Sequence, residues 1–228
     1  MKFTLLKDVE GNYFTMEAYK EKIKELQTDK HEKQILLYTN APSEHDSFIQ
    51  TAQGRGYNVL EMTTVLDNHF MQKLESAGQN VTFVRVDSDT VDNLVQKDET
   101  KESVLNEKEE ESVKTLFTEL ITDAGASVST KAMSPEDQPI VITRPEFMRR
   151  MKEMQAMQGM SFGDFPDSYN VVVNTNNPLV ADKLLKLEGE DQTNLAKYLI
   201  DLAKLNQNML KGADLTNFIN KSLDFVKN

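Results

Sequence analysis

Apolar positions divide the chain into an alternating helix–strand part and a more helical part. Met16, Tyr19, Ile23 and Leu26 recur at helical spacing and predict a helix from Thr15 to about Thr28. Ile35-Leu36-Leu37-Tyr38 is a short continuous apolar run, the mark of a buried strand. Ser43 with Asp46 resembles a capping box and opens a second helix, which Gly54 and Gly56 end. Tyr57 to Met62 predicts a second strand. Leu66, Phe70 and Leu74 mark a third helix that stops near Gly78, and Val81 to Val86 a third strand. Strands separated by helices imply a parallel sheet with helices against it. The expected unit is a small three-stranded parallel α/β/α layer appended to something larger.

Between Asp87 and Glu111 the pattern breaks, with ten acids and few apolar side chains. This stretch predicts a solvated hinge followed by the acidic first turn of a helix. A boundary near Lys97 gives domains 1–96 and 97–228. The second domain opens with a helix from about Lys108 to Ala124, with Val113, Leu116, Phe117, Leu120 and Ile121 inward. Ala126 to Lys131, Pro139 to Thr143 and Tyr169 to Asn174 read as strands, with a Met-rich helix from Pro145 to about Gln158. Three helices close the chain: Pro178 to Leu187, Asp191 to about Leu210, and Asp214 to Val226. The expected fold class is α/β followed by an α+β domain ending in a helical hairpin.

Two surfaces carry more apolar side chains than one helix face needs. Met148, Met151, Met154 and Met157 recur every three residues, with Phe147 beside them. Each step of three drifts roughly 60° on a helix of about 3.6 residues per turn. The five side chains therefore cover roughly half the circumference, against about 100° for an ordinary core stripe. Arg149, Lys152 and Glu153 fall on the opposite side, and Phe162 and Phe165 follow on a loop with Gly163 and Pro166. The alternatives are an internal core or a soft apolar surface for other proteins. The second surface is the terminal helix pair. Leu195, Tyr198, Leu199, Leu202, Leu205 and Met209 recur at coiled-coil-like spacing. Leu215, Phe218, Ile219 and Phe225 continue beyond the turn at Lys211-Gly212-Ala213. Such a hairpin can pack on its own domain or complete a four-helix bundle with a second copy, and a homodimer is the expectation.

Composition narrows the function. Of 228 residues, 39% are hydrophobic, enough for real cores, and the net charge is −11. That charge argues against binding a nucleic-acid backbone, which needs clustered Lys and Arg. The chain has no apolar run long enough for a transmembrane helix and no signal-peptide pattern, so no membrane partner and a cytoplasmic location are expected. It has no cysteine, eleven methionines and no tryptophan. Methionine is common on promiscuous binding surfaces. Neither a phosphate-binding glycine loop nor GxGxxG is present. Thr39-Asn40-Ala41-Pro42-Ser43 leads from a strand into a helix N-terminus but offers no glycine for close approach to a phosphate. His31, His45 and His69 lack partners at metal-ligand spacing, so surface or capping roles are expected. No catalytic, cofactor-binding or metal-ligating residue is assigned.

The stretch Glu146-Phe147-Met148-Arg149-Arg150-Met151-Lys152-Glu153-Met154-Gln155-Ala156-Met157 resembles the amphipathic C-terminal-domain helix of the 90-kDa heat-shock protein chaperones. Val173-Asn174-Thr175-Asn176-Asn177-Pro178-Leu179-Val180 is similar to that family's strand ending in Asn before a Pro-started helix. Tyr13 to Tyr19, Ile35 to Thr39 and Gly56 to Met62 resemble the last part of its middle domain, in the same order. The chain lacks an acidic tail ending in Val-Asp, which points to the bacterial form. Thr143-Arg144-Pro145 diverges where the family usually has tryptophan or another large residue, and the loop between the last two helices is short.

The resemblance implies a clamp-shaped homodimeric chaperone involved in protein folding and the stress response. ATP and Mg would be bound, and ATP hydrolysed, in regions upstream of residue 1. This chain would supply the end of the middle domain and the C-terminal dimerisation domain, with no cofactor of its own. Met148, Met151, Met154, Met157, Phe162 and Phe165 become the expected contacts for unfolded or partly folded clients. The competing reading is a small α/β nucleotide- or metabolite-binding enzyme fused to a helical dimerisation module.

Overall fold

A computed structural model describes residues 5–78, 80–97, 101–147, 149–151 and 168–227, excepting the side chains of Val65 and of 224–227. The chain forms two compact units, Met1–Thr100 and Lys101–Asn228. In the first, the apolar run becomes β3 (Gln34–Thr39), the middle of a sheet. It is flanked in parallel by β4 (Val59–Glu61) and β5 (Val81–Arg85). Such a strand is covered on both faces, which is why its apolar residues do not alternate with polar ones. Leu36, Tyr38, Leu60 and Phe83 pack with Tyr19 and Ile23 of α1 (Met16–Ile23) and Met71 of α3 (Val65–Ser76). Ile35, Leu37 and Val59 pack on the other face with Ile49 and Ala52 of α2 (Asp46–Gly54). An antiparallel pair, β1 (Leu6–Lys7) and β2 (Tyr13–Phe14), precedes α1 and was not legible in the hydrophobic pattern.

Three expectations need correction here. Asp87 to Lys97 is not a solvated hinge: Asp87, Val91, Leu94 and Val95 are buried, and α4 (Val91–Leu94) closes the second face of the sheet. Lys30 N–H donates to the Gln96 carbonyl at 2.8 Å and holds the end of this stretch to the unit. The helix expected to open at Ser43 starts at Asp46, and His45 occupies its N-cap without a side-chain cap bond. His45 is also buried rather than on the surface, with Nδ1 2.9 Å from Thr39 Oγ1 and Nε2 3.6 Å from Asp87 Oδ2. Arg85 clamps the same carboxylate from two nitrogens, Nε at 2.5 Å and Nη2 at 2.7 Å. His31 and His69 are exposed.

Asp8 is a second buried acid that the pattern does not reveal. Its Oδ1 accepts from the N–H of Glu10 at 3.1 Å and of Asn12 at 2.8 Å. Its Oδ2 accepts from Asn58 Nδ2 at 3.0 Å and Lys22 Nζ at 3.4 Å. One carboxylate thereby fixes the β1–β2 turn to α1 and to the start of β4. Burial alone would raise its pKa, but the bonds from Asn58, Asn12 and Lys22 outweigh that and hold it below the ordinary carboxylate value.

The second unit repeats the three-stranded plan with mixed directions. Its middle strand β8 (Tyr169–Asn174) runs parallel to β6 (Ala126–Lys131) and antiparallel to β7 (Ile140–Thr143). On one face lie α5 (Glu107–Leu120) and α6 (Gly189–Asn206), which bring Val113, Phe117, Ala196, Leu199 and Ala203 to Ile140, Ile142, Val171 and Val173. Where one regular helix is expected from Pro178, the chain makes a wide π turn at Leu179–Lys183 and a 3-10 turn at Leu184–Lys186. Val180 and Leu184 of this segment are both fully buried in the core. The final helix, α7, spans Gly212–Lys227.

The Arg85–Asp87 pair leads to a stability prediction. Asp87→Ala leaves a buried guanidinium without its carboxylate and is expected to cost about 3–5 kcal/mol, read as a lower urea midpoint. Asp8 leads to a pH prediction. A depressed folded pKa contributes stability above the unfolded value of about 3.9, and that contribution is lost as pH falls through the folded value. The stability difference between the natural chain and Asp8→Asn should therefore shrink as pH drops from about 5 towards about 2.

Candidate functional site

The terminal hairpin has one face inside its unit and another uncovered. Helix α6 turns Ala196, Leu199, Ile200 and Ala203 into the core. Its root is tied down by Lys204 Nζ, 2.6 Å from Asp123 Oδ2, a carboxylate that also accepts from the Tyr169 hydroxyl. The Lys204 and Tyr169 bonds hold the Asp123 carboxyl below the usual range despite its partial burial. Among the described side chains of helix α7, Phe218 is buried and stacks on Tyr198 with ring centroids 5.2 Å apart. Between the helices, burial raises the Asp201 pKa, partly opposed by Lys221 and Lys204.

Among the described side chains, three further apolar residues of the hairpin are open. Leu202, Ile219 and Leu223 are 41%, 49% and 52% exposed. Leu195, Leu205, Met209 and Leu215 are half-buried. The ten residues expected to pair two copies thus divide: Leu199 and Phe218 serve the unit's own core, Tyr198 supports Phe218, and Phe225 lies outside the described side chains. Leu223, left off that set, has the same exposure as Ile219 and lies one helical turn beyond it.

Of the six expected client contacts, only Met151 is described, and it is half-buried; Met148, Met154, Met157, Phe162 and Phe165 lie outside the described residues. Around Met151 the polarity departs from the helical-wheel expectation. The Arg149 side chain, placed on the outer side by spacing, is only 9% exposed and paired with Glu146. Arg150 Nε reaches the same carboxylate at 2.6 Å. Phe147 stands 74% exposed. Glu146 neutralises the inward arginine, so the aromatic ring faces solvent while the charge does not.

A ligand site in the α/β unit would belong outside the C-terminal ends of its parallel strands. That position is filled by the chain itself. Thr39, His45, Arg85 and Asp87 are all buried there and bonded to one another. Among the described residues no group of three or more His, Asp or Glu is placed to hold a metal ion. No described helix is long and apolar enough to cross a membrane.

No protein-family profile matches the chain. Curated relatives do. The chain is 32% identical to the chaperone protein htpG of Bacteroides fragilis over 99% of its own length and 43% of the relative's. It is 31% identical to HtpG of Bacteroides thetaiotaomicron over the same shares. To HtpG of Porphyromonas gingivalis it is 36% identical, over 93% of the chain and 32% of the relative. The chain therefore spans less than half the length of the relatives it matches. With the similarity running along nearly all of its residues, the chain belongs to the HtpG chaperone family, the bacterial form of the 90-kDa heat-shock proteins.

Proposed function

We propose that this chain acts in protein folding as the self-pairing and client-contacting part of an HtpG-type chaperone. The observation that carries the reading is the open apolar strip of the terminal hairpin, formed by Leu202, Ile219 and Leu223. Fully burying one such side chain contributes roughly 1.5–3 kcal/mol, and a two-fold contact repeats each burial. Each copy carries a net charge of −11, so the contact has its apolar residues at the centre and charges at the rim. Client contact rests on Phe147 beside Met151: an exposed aromatic next to a methionine is suited to many partners rather than one. ATP binding and turnover, with Mg, belong on this reading to other parts of the chaperone, and its working place is the cytoplasm.

The enzyme reading is less favoured, because the ligand position of the parallel sheet is occupied by paired side chains of the chain itself. The HtpG relatives carry a chaperone name, which supports the folding role.

Sedimentation tests the pairing. The unmodified chain should run as a dimer at micromolar concentration. Leu202→Asp combined with Ile219→Asp should weaken pairing by at least about a hundredfold, roughly 2.8 kcal/mol. Neither substitution touches a fully buried side chain, so thermal stability of the monomer should change little. A natural chain that sediments as a 26.0 kDa monomer would sink the proposal. Suppression of aggregation of an unfolding protein tests client contact. Phe147→Ser should weaken it by about tenfold while leaving the melting temperature in place, and equal suppression by both proteins would remove Phe147 from the surface.

A further inference from the structure

The four residues Glu102 to Leu105 lead into α5 without joining either three-stranded sheet. Among the described residues, one carboxamide ties their backbone to the rest of the unit. Asn176 Oδ1 accepts the Val104 N–H at 2.9 Å, and Asn176 Nδ2 donates to the Glu102 carbonyl at 3.1 Å. The side-chain amide presents one acceptor and one donor to alternate groups of an extended segment, much as a neighbouring strand would. Nδ2 also donates to the Met133 carbonyl at 3.1 Å, so Asn176 joins these residues to the loop after β6. The Leu105 side chain enters the core of the unit, while Val104 is largely exposed.

Both ends of this arrangement are firm. Asn176 is held from behind, its N–H donating to Asn174 Oδ1 at 3.1 Å. Asn106 closes a capping box on α5: its Oδ1 accepts from the N–H groups of Lys108 and Glu109, and its own N–H donates to Glu109 Oε2 at 2.9 Å. A segment fixed at one end by a helix cap, and elsewhere by two backbone bonds and one side chain, can open without the unit unfolding.

We propose that residues 102–105 are a releasable strap, and that Asn176 is its clasp. With the clasp shut, residues 102–105 are fixed to the second unit. With it open, the fixed part begins at the Asn106 cap. Four residues then pass from the unit to the chain connecting it with the first unit. At about 3.3–3.6 Å per extended residue this adds about 13–14 Å of reach. The clasp is thus a length switch in the connection between the two units.

Amide hydrogen exchange on the whole chain tests this. In the natural protein the Val104 amide should exchange faster than those of Val171 and Val173 in β8, because it opens locally. Asn176→Ala should speed Val104 exchange by a further tenfold or so, leaving Val171 and Val173 unchanged. Asn176→Asp keeps an acceptor for Val104 but turns acceptors towards the Glu102 and Met133 carbonyls, and should also speed it. Three outcomes would each overturn the proposal. The first is Val104 exchange only with global unfolding in the natural protein. The second is a Val104 rate that responds to neither variant. The third is Asn176→Ala speeding Val171 and Val173 as much as Val104, which places Asn176 in the global core.

Discussion

Backbone groups buried at the ends of short strands must find partners, and this requirement organises both units. A sheet of three strands is too narrow to end in solvent, so its edges fall among packed side chains. An unpaired buried N–H or carbonyl costs as much as a lost hydrogen bond. At the start of β4 the Asn58 N–H donates to Gln27 Oε1 at 2.6 Å. Beside β5, the edge N–H of Phe83 donates to Glu75 of α3 at 2.8 Å. Beyond β8 the carboxamide of Asn174 accepts the Met133 N–H at 3.2 Å and donates to the Ser134 carbonyl at 2.8 Å. Asn177 then donates to the Asp137 carbonyl at 2.8 Å and accepts the Leu179 N–H at 2.9 Å. The consecutive polar residues after β8 are therefore the internal framework of the second unit.

The same accounting separates the two kinds of charged group. Arg85 and Asp87 are buried together because a two-pronged pair satisfies both. Arg149 is tucked in beside Glu146 for the same reason, and Phe147 is left outside. On the terminal hairpin the opposite imbalance arises. Leu202, Ile219 and Leu223 stay exposed, while Phe218 and Tyr198 have already formed the hairpin's internal contact. An apolar strip left over once a core is complete is what a protein that binds other chains has to offer. The family membership and the surface chemistry thus point in the same direction by independent routes.

The sequence by itself determined that the three strands of the first sheet run parallel, through three apolar runs separated by helical spacing. It also determined the three strands of the second unit and the existence of the closing helix pair. These are local, periodic signals, and burial of one face dictates them. The family resemblance was legible in the ordered segments around Tyr13, Ile35, Gly56 and Glu146. Only the tertiary structure decided that the acidic stretch after Asp87 folds inward, since charge density reads as solvation until a buried arginine is seen opposite it. Only the fold could place His45 in a polar core, split the hairpin's apolar residues into those used inside and those left open, and turn the Arg149 side chain inward beside Glu146. Each of these depends on a partner distant in sequence or on competition between neighbouring elements for the same side chain. Periodicity along one helix carries no record of either.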